Sequence, residues 1–395
     1  MSRPGVRHFL RYAARFSQWR AYLRSPGDGR VSPQIPAAPL LRSLVVARLL
    51  RQESFLAVEA LVCSPARRSM GVAISFGDDV LGYFTERLDV DRLRSAVVGI
   101  VKQAKRNKAF EGSRWIGLAI DGTGAGRSKE KKCKDCRSVR NRKKEIIGYH
   151  HKLVMVSVVG TGLTLPMDVE PFGPGDSEYA AGQRLLPRVI KNLGARFANY
   201  VVVDGEFATA PFLHVAGDLG VKIVARLKEN LPELYEAARR RFTHKPPDRK
   251  FQDGQDRIEM WDSEDFDPWE ALRWKTVRVI RYRQHKPDGN VVEAYWLTDF
   301  SKAKAGSQAL YCMAKSRWEI ENQGFNDAKN RYGFEHICHH HPNSLLINWL
   351  IIALTLTLER LYRNRYLHRG FHSVLTPISL LRLLWVSLAR SPDSS

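Results

Sequence analysis

Three acidic residues stand at positions where carboxylates could meet and hold metal ions. Asp121 follows a short apolar run at residues 115–120, and Asp204 follows a β-branched run at residues 201–203. Such runs predict strands that are buried on both faces, and ligands of open α/β sheets bind beyond the carboxyl ends of strands. Glu321 lies in a segment with helical periodicity. Oxygen ligands of this kind favour Mg²⁺, and two such ions about 3.5–4 Å apart stabilise an in-line phosphoryl displacement.

The composition favours a polyanionic partner for this site. The 395 residues include 63 Lys and Arg against 41 Asp and Glu, which gives a formal net charge of +22. An excess of that size points to nucleic acid, and a merely soluble basic protein is the alternative. Five cysteines, an odd and sparse set, indicate reduced thiols in a cytoplasm rather than a disulfide framework. The N-terminus shows no apolar segment typical of a secretory signal.

The N-terminal 110 residues are predicted to be helical. Residues 7–24 form an amphipathic, Arg-rich helix that either lies on DNA or docks on its own domain with a solvated Arg face. Residues 25–38 are rich in Pro, Gly and Ser and predict a linker. The region 1–110 is therefore expected to bind DNA, with a scaffold role as the alternative.

The rest of the chain predicts an α/β core that an insertion divides. Residues 111–228 show the order β, β, β, α, β, α, β, which is typical of a mixed sheet flanked by helices. Residues 229–305 are β-rich and interrupt that pattern, so we interpret them as an insertion. Residues 306–395 return to helices and complete the core. The apolar tract at 345–358 is too short to span a bilayer and predicts a buried core helix.

The helix that carries Glu321 presents basic residues at a spacing of four. Arg317, Glu321, Phe325 and Lys329 share one stripe of a regular α-helix. An Arg and a Lys beside a metal-binding Glu would grip DNA phosphates, whereas an ordinary surface pair contributes only about 0.3–0.5 kcal/mol. Glu319 lies about 200° away around the helix, so Glu319 and Glu321 cannot both face the metal ions.

The same helix fits two related sequence patterns. Arg317-x3-Glu321 matches the centre of Tyr-x2-Arg-x3-Glu-x6-Lys, although the Tyr position holds Ala314 and the Lys falls one residue late at Lys329. The pattern Glu-Asn-x2-Phe-x3-Lys is complete from Glu321 to Lys329 and includes Asn322. With these motifs the chain resembles bacterial insertion-sequence transposases of the DDE class, over about residues 110 to 340.

The resemblance implies a fold and a reaction. The fold is an RNase H-like, retroviral-integrase-like core with a β-rich insertion between the second Asp and the Glu. Asp121, Asp204 and Glu321 would bind two Mg²⁺ ions, for which Mn²⁺ can substitute. The enzyme would cleave double-stranded DNA at terminal inverted repeats and join the freed 3′-hydroxyl to target DNA, as a homodimer on paired ends. We expect it in the bacterial cytoplasm with the nucleoid and not at a membrane.

Two alternatives to this function stay open. The first is a structure-selective nuclease of the same fold, which cuts without joining. The second is a catalytically inactive, DNA-binding relic of a transposase, which would show salt-sensitive binding without metal-dependent chemistry.

Further residues are predicted to contact DNA. The segment 127–144, here called the basic segment, has ten Lys or Arg among its residues and directly follows the Asp121 strand. A solvated charge run is the alternative for it. Members of the resembled family that form DNA hairpins stack a flipped base on a Trp, for which Trp296 is the counterpart; a core role is its alternative. The expected DNA contacts are Lys131, Lys132, Arg140, Arg142, Lys143, Lys144, Lys228, Trp296, Arg317, Asn322 and Lys329.

The basic segment also contains Cys133-x2-Cys136. With Cys338 and either His339 or His340 this pair would offer four zinc ligands, but the second pair lacks a standard zinc spacing. We therefore assign no metal to it from the sequence. His150 and His151 are expected to be ordinary residues at the start of a strand.

Overall fold

A central sheet carries the positions where chemistry is predicted, and helices cover it. The structure is a computed structural model that describes residues 4–19, 27–367 and 376–389. Its ten strands are β1 (Gly117–Ser128), β2 (Arg137–Arg140), β3 (Ile146–Val159), β4 (Leu165–Pro171), β5 (Tyr200–Val203), β6 (Lys222–Leu227), β7 (Arg249–Asp253), β8 (Asp256–Phe266), β9 (Val277–His285) and β10 (Val291–Thr298).

Five of these strands form the core in the order β4-β3-β1-β5-β6. The pairs β1–β3 and β3–β4 are antiparallel, whereas β1–β5 and β5–β6 are parallel. The Val-rich residues of β5 are all buried, as expected for a parallel strand that is covered on both faces. This mixed sheet flanked by helices confirms the predicted α/β, RNase H-like fold class.

The strand β1 is longer than its apolar run predicts. It continues past Asp121 to Ser128 through a glycine-rich stretch, with a register shift between Gly124 and Arg127. Glycine has low strand propensity, which is why the sequence indicates an end at residue 120. Pairing with β3 along its whole length overrides that propensity, and Gly126 takes a φ of 91° at the bulge.

The β-rich block at residues 229–305 extends the same sheet. Strand β10 pairs antiparallel with β6, and β9, β8 and β7 follow outwards. Strands β9 and β10 form a hairpin whose turn is closed at Gly289, which has a φ of 84°. The strands β7 and β8 were not predicted, because polar residues dominate their exposed stretch around Asp253 and Asp256.

A buried ion pair fastens this block to the helix that follows it. The Arg278 guanidinium donates to both oxygens of Asp262, at 2.8 and 2.5 Å, and Ser307 Oγ donates to the same carboxylate at 2.6 Å. Burial alone would raise the pKa of Asp262, but these hydrogen bonds outweigh it and hold the pKa below its ordinary value.

Helices pack against most strands of the sheet. They are α1 (Val6–Phe16), α2 (Ala37–Leu49), α3 (Phe55–Cys63), α4 (Ala66–Met70), α5 (Asp78–Arg87), α6 (Val90–Arg106), α7 (Glu178–Leu193), α8 (Ala210–Asp218), α9 (Pro232–Thr243), α10 (Ser307–Lys315), α11 (Arg317–Glu319), α12 (Asn326–Tyr332), α13 (Pro342–Leu361) and α14 (Pro377–Ala389). A 3₁₀ turn spans Gly205–Phe207, and π-helical turns span Ile320–Phe325 and Tyr362–Leu367.

The helix α13 is the central helix of the core. With its π-helical extension it spans Pro342–Leu367, which by length and composition is sufficient to cross a membrane, yet 94% of its apolar window is buried inside the protein. It packs against β4, and Thr357 donates to the Pro166 carbonyl at 2.7 Å. The predicted placement as a core helix is therefore confirmed, although the helix is longer than the tract from which it was predicted.

The N-terminal helix α1 docks on the end of this core. Tyr12 lies with its ring 5.1 Å from those of both Tyr362 and Tyr366. The predicted helix over 7–24 ends at Phe16, and residues 20–24 lie outside the described residues. The exposed face of α1 carries Arg7, Arg11 and Arg15.

A second buried ionic cluster fixes α7 against the sheet. Asp168 on β4 is fully buried and accepts from Arg94 of α6 at 3.0 Å and from Arg188 of α7 at 2.8 Å. A buried carboxylate is tolerated only when it is fully paired, so the two guanidinium groups hold α6, β4 and α7 in one arrangement.

Candidate active site

Asp121 and Asp204 lie next to each other where the pairing of β1 and β5 ends. The last parallel pair is Ile120 with Val203, and each Asp is the next residue on its strand. Neighbouring strands are about 4.8 Å apart, and residues in register point to the same face. The two carboxylates therefore emerge on one side of the sheet. Asp121 is 9% exposed, and Asp204 begins the 3₁₀ turn that leads into α8.

One guanidinium group bridges two of the three predicted carboxylates. Arg317 Nη1 lies 2.9 Å from Asp121 Oδ2, and Arg317 Nη2 lies 2.7 Å from Glu321 Oε1. The same cation also lowers the pKa of Asp204. Arg317 is 9% exposed, so it acts on the carboxylates in a largely desolvated setting. The structure thus brings Asp121 and Glu321 together through Arg317, and Asp204 lies beside Asp121 at the neighbouring strand end.

The surroundings of Asp121 disfavour its ionised form despite the nearby Arg317. Burial raises the pKa of Asp121 to about 7, against the opposing effect of Arg317, and the nearby Glu321 and Glu178 raise it further. A raised carboxyl pKa means that the ionised form lacks compensation. Additional positive charge would therefore bind favourably here.

Asp204 is kept ionised by a different neighbour. Burial alone would raise its pKa, but the Lys228 ammonium, 2.6 Å from Asp204 Oδ2, and the Gly205 N–H hold the pKa below its ordinary value. Lys228 was predicted to contact DNA, and in this structure it lies against the second aspartate.

Glu178 is a fourth carboxylate of the site, and sequence reasoning missed it. It is the first residue of α7, after the N-cap Ser177, and acids at that position are usually explained by the helix dipole. Its carboxylate lies over Gly122, where a Cβ would come within 2.1 Å of Glu178 Cδ. Burial and then Glu206 raise the pKa of Glu178. The sequence signal that could have revealed Glu178 is the pair Ser177–Glu178, a helix-capping residue and an acid that follow strand β4.

The family is decided by comparison with known proteins. A family model described as transposase DDE domain matches residues 116–358, well over half of the chain. The chain belongs to the DDE transposase family. Such an enzyme cuts and joins DNA and uses divalent metal ions. A cryo-EM structure of the piggyBac transposase synaptic complex with hairpin DNA is similar to this chain, with a TM-score of 0.47 and 13% sequence identity. The similarity covers 96% of this chain and 79% of that chain. A comparison with curated proteins finds no match.

The basic segment of this DDE transposase lies largely on the surface. It forms the end of β1, a loop, β2 and the turn into β3. Its exposed cations include Lys131, Lys132, Arg140, Arg142, Lys143 and Lys144. The arrangement leaves these side chains accessible, and their contact with DNA stays a prediction.

The helical stripe of the transposase differs from its prediction beyond Glu321. The expectation of an unbroken α-helix is wrong, because residues Ile320–Phe325 form a π-helical turn. Phe325 is buried, and Lys329 Nζ lies 3.2 Å from Glu335 Oε1. Asn322 is exposed. Glu319 points away from the other acids, as its angular position indicated, and accepts from the Gly160 N–H at 3.2 Å and from Thr164 at 3.1 Å.

Trp296 does not form a platform for a flipped base. Its side chain is fully buried on β10, beneath the Arg226 guanidinium and edge-on to Trp318. The predicted DNA contact is therefore corrected to a role in the core. The reason is that β10 is an inner strand of the sheet between β6 and β9, so its Trp packs rather than facing solvent.

Proposed function

We propose that this transposase cleaves DNA at transposon ends and transfers the freed 3′-hydroxyls into target DNA, with Mg²⁺ held by Asp121, Asp204 and Glu321. The observation that supports this most directly is the position of Arg317, one buried cation that bridges Asp121 and Glu321, beside the strand end from which Asp204 follows. Carboxylates held this close repel one another, and divalent ions are the partners that would relieve the repulsion most fully.

The donor set fits a hard divalent ion. All donors are carboxylate oxygens, which suit Mg²⁺ and Mn²⁺ better than softer metals. Burial and the neighbouring carboxylates raise the pKa of Asp121 to about 7, and a bound cation would stabilise its ionised form. When bound, a pair of such ions would activate the attacking water or 3′-hydroxyl and stabilise the leaving oxygen.

The protein's own cations would serve the substrate. Once the carboxylates are neutralised, the planar Arg317 guanidinium is free to donate to phosphate oxygens, whose geometry it matches. Lys228 stabilises the ionised form of Asp204, which is the form that ligates a metal. Arg317 therefore has two roles, which are to keep the carboxylates together and to position the scissile phosphate.

The surrounding surface would hold the DNA ends. The exposed cations of the basic segment follow the same strand that carries Asp121, and Asn322 and Lys329 follow Glu321. We propose that they contact the DNA backbone, that two copies of the chain pair two terminal inverted repeats, and that the enzyme acts at the bacterial nucleoid. Binding by such contacts weakens steeply with salt.

The test is cleavage of duplex DNA that carries the terminal inverted repeats flanking the reading frame. With Mg²⁺ or Mn²⁺ we expect nicking at the repeat ends and joining to a target plasmid. Asp121→Asn, Asp204→Asn and Glu321→Gln should each reduce both steps to background, while Asp218→Asn, at the exposed end of α8, should not.

Three other outcomes would each contradict a different part of the proposal. Robust cleavage without joining would favour the structure-selective nuclease. Salt-sensitive binding without metal-dependent cleavage would favour the inactive relic. Undiminished cleavage by Asp121→Asn would overturn the proposed ligand set.

A further inference from the structure

Four metal-binding side chains meet away from the carboxylate site. They are Cys133, Cys136, His151 and His340, and one ligand atom of each lies within 4.8 Å of the other three. Among the residues that the structure describes, these four form the one group of His, Cys, Asp or Glu side chains whose ligand atoms lie close enough together to hold a metal ion. The donors are sulfur and nitrogen, whereas the active site offers only oxygen, so the two sites would select different metals.

Three separate segments of the chain supply these side chains. The cysteines lie in the loop between β1 and β2, where the Cys136 N–H donates to the Cys133 carbonyl at 3.4 Å. His151 lies on β3, and His340 lies just before α13. Cys136 and His151 are only 2% and 3% exposed. A cluster assembled from distant positions and buried at its centre is not a local turn feature.

The distances match those of a tetrahedral zinc site. The two Sγ atoms are 3.5 Å apart, and His151 Nε2 lies 3.8 Å from Cys133 Sγ and 3.5 Å from Cys136 Sγ. Bond lengths of about 2.3 Å to sulfur and about 2.0 Å to nitrogen place tetrahedral ligands about 3.8 Å (S–S) and about 3.6 Å (S–N) apart. The sulfurs are too far apart for a disulfide, which needs about 2.05 Å.

A second observation points to a ligand at the same place. Nδ1 of His340 is buried and has no hydrogen-bond partner within the described part of the chain. Buried polar nitrogens are almost always paired, so this orphan atom calls for a partner such as a metal ion. The His340 ring centroid lies 6.1 Å from that of His151.

We propose that Cys133, Cys136, His151 and His340 bind one structural Zn²⁺ ion. The two thiols would lose their protons to solvent and the two imidazoles would bind as neutral rings, so the occupied site carries no net charge. Four protein ligands fill the tetrahedron and leave no open position, which makes the role structural rather than catalytic. Cys338 is not a ligand, because its Sγ donates to the Glu53 carbonyl at 3.0 Å.

The zinc ion would fix the basic segment in place. It would tie the loop that bears Lys131, Lys132 and Lys134 to β3 and to the start of α13. Those lysines flank the cysteines directly in sequence. Zinc would thereby hold the proposed DNA-binding loop at a constant distance from the strand that carries Asp121.

The first experiment measures metal content of the full chain, purified under reducing conditions without chelator. We expect one zinc per chain by elemental mass spectrometry, and its loss in Cys136→Ser and His340→Asn. Cys63→Ser and Cys312→Ser, which change exposed cysteines outside the cluster, should keep it. Asp121→Asn should also keep zinc, which separates this site from the active site whatever the outcome of the cleavage assay.

The second experiment needs no variant and so does not depend on variant folding. Cobalt added to the metal-free wild-type chain should give the intense visible bands of tetrahedral, thiolate-ligated Co²⁺. Zinc should then displace the cobalt and protect Cys133 and Cys136 from alkylation, while leaving Cys63 reactive. A folded, active chain with no zinc, no tetrahedral cobalt spectrum and freely alkylated Cys133 and Cys136 would overturn the proposal, as would a chain that carries a Cys133–Cys136 disulfide instead.

Discussion

Replacing Arg317 by Gln tests whether the carboxylates form one electrostatic unit. Arg317 donates a hydrogen bond to Asp121 at 2.9 Å, which as a charge-assisted bond contributes about 1.5–3 kcal/mol, and it forms an ion pair with Glu321 at 2.7 Å. The bond to Glu321 contributes less, because that carboxylate is 40% exposed. Removing one member of a buried pair costs about 3–5 kcal/mol, and since Asp121 can take up a proton we expect about 3 kcal/mol for the metal-free protein.

The expected change is measurable as a shift in Tm. With an unfolding entropy of roughly 2.1 cal/mol/K per residue, a loss of 3 kcal/mol lowers Tm by about 4 °C in a chain of this size. Millimolar Mg²⁺ should raise the Tm of the variant by more than that of the wild type, because ions would bind the carboxylates without displacing a cation. Differential scanning fluorimetry with and without Mg²⁺ measures both effects.

A matched control and a paired variant sharpen the Arg317 test. Arg239→Gln removes an exposed ion pair with Glu236 and should change neither the Tm nor the response of the Tm to Mg²⁺. On an Asp121→Asn background the cost of Arg317→Gln should shrink, because one of its partners is already neutral. A Tm equal to that of the wild type, or an equal response to Mg²⁺ in both proteins, would show that the carboxylates do not form one electrostatic unit.

Gly122→Ala places a Cβ against the Glu178 carboxylate and should lower the affinity for Mg²⁺ several-fold in calorimetric titration. The control Gly124→Ala, whose added Cβ has its nearest atom at 4.0 Å, should keep the wild-type affinity. Equal Mg²⁺ affinities of Gly122→Ala and the wild type would exclude Glu178 from the site. Asp262→Asn leaves a buried guanidinium unpaired and should lower the free energy of unfolding by about 3–5 kcal/mol. Because the folded-state pKa of Asp262 is lowered, its stabilisation is present above the unfolded-state pKa of about 3.9 and is lost as pH falls through the folded-state pKa. The difference in free energy of unfolding between the wild type and Asp262→Asn, measured by urea unfolding, should therefore decrease on acidification. An increase in that difference would contradict the ionised Asp262–Arg278 pair. Trp296→Ala leaves a cavity in the core and should lower the free energy of unfolding by about 3–5 kcal/mol, measured by urea unfolding. A variant that is as stable as the wild type but defective in processing DNA ends would instead support a DNA-binding role for Trp296.

Local sequence patterns were sufficient for the centre of the fold. Strand β5 is short, β-branched and fully buried, so its end and the acid that follows could be located without a structure. Ser177 is a typical N-cap residue, and its side chain accepts from the Ala180 N–H at the start of α7. The position of Asp121 beside Asp204 follows from two parallel strands whose registers end together.

Features that depend on distant contacts could not be located in this way. Glu178 reaches the site only because Gly122 leaves room for it, and no spacing links the two. Cys133 and Cys136 meet His151 and His340, not Cys338, because β3 and the segment before α13 converge in space. The burial of Trp296 follows from β10 joining the sheet through β6, which its alternating pattern alone does not reveal.

The π-helical turn explains why Lys329 falls one residue late in the pattern Tyr-x2-Arg-x3-Glu-x6-Lys. Each residue of an α-helix advances by about 100°, so a Lys seven positions after Glu321 would return to nearly the same side, and one eight positions later would overshoot. The wider turn at Ile320–Phe325 absorbs one residue, and Lys329 thus regains the orientation that the shorter spacing would provide. Lys329 reaches Glu335, whose carbonyl borders Gly126 of β1. A Lys seven positions after a Glu in a regular α-helix and a Lys eight positions after it across a π-helical turn therefore lie on a similar side of the helix.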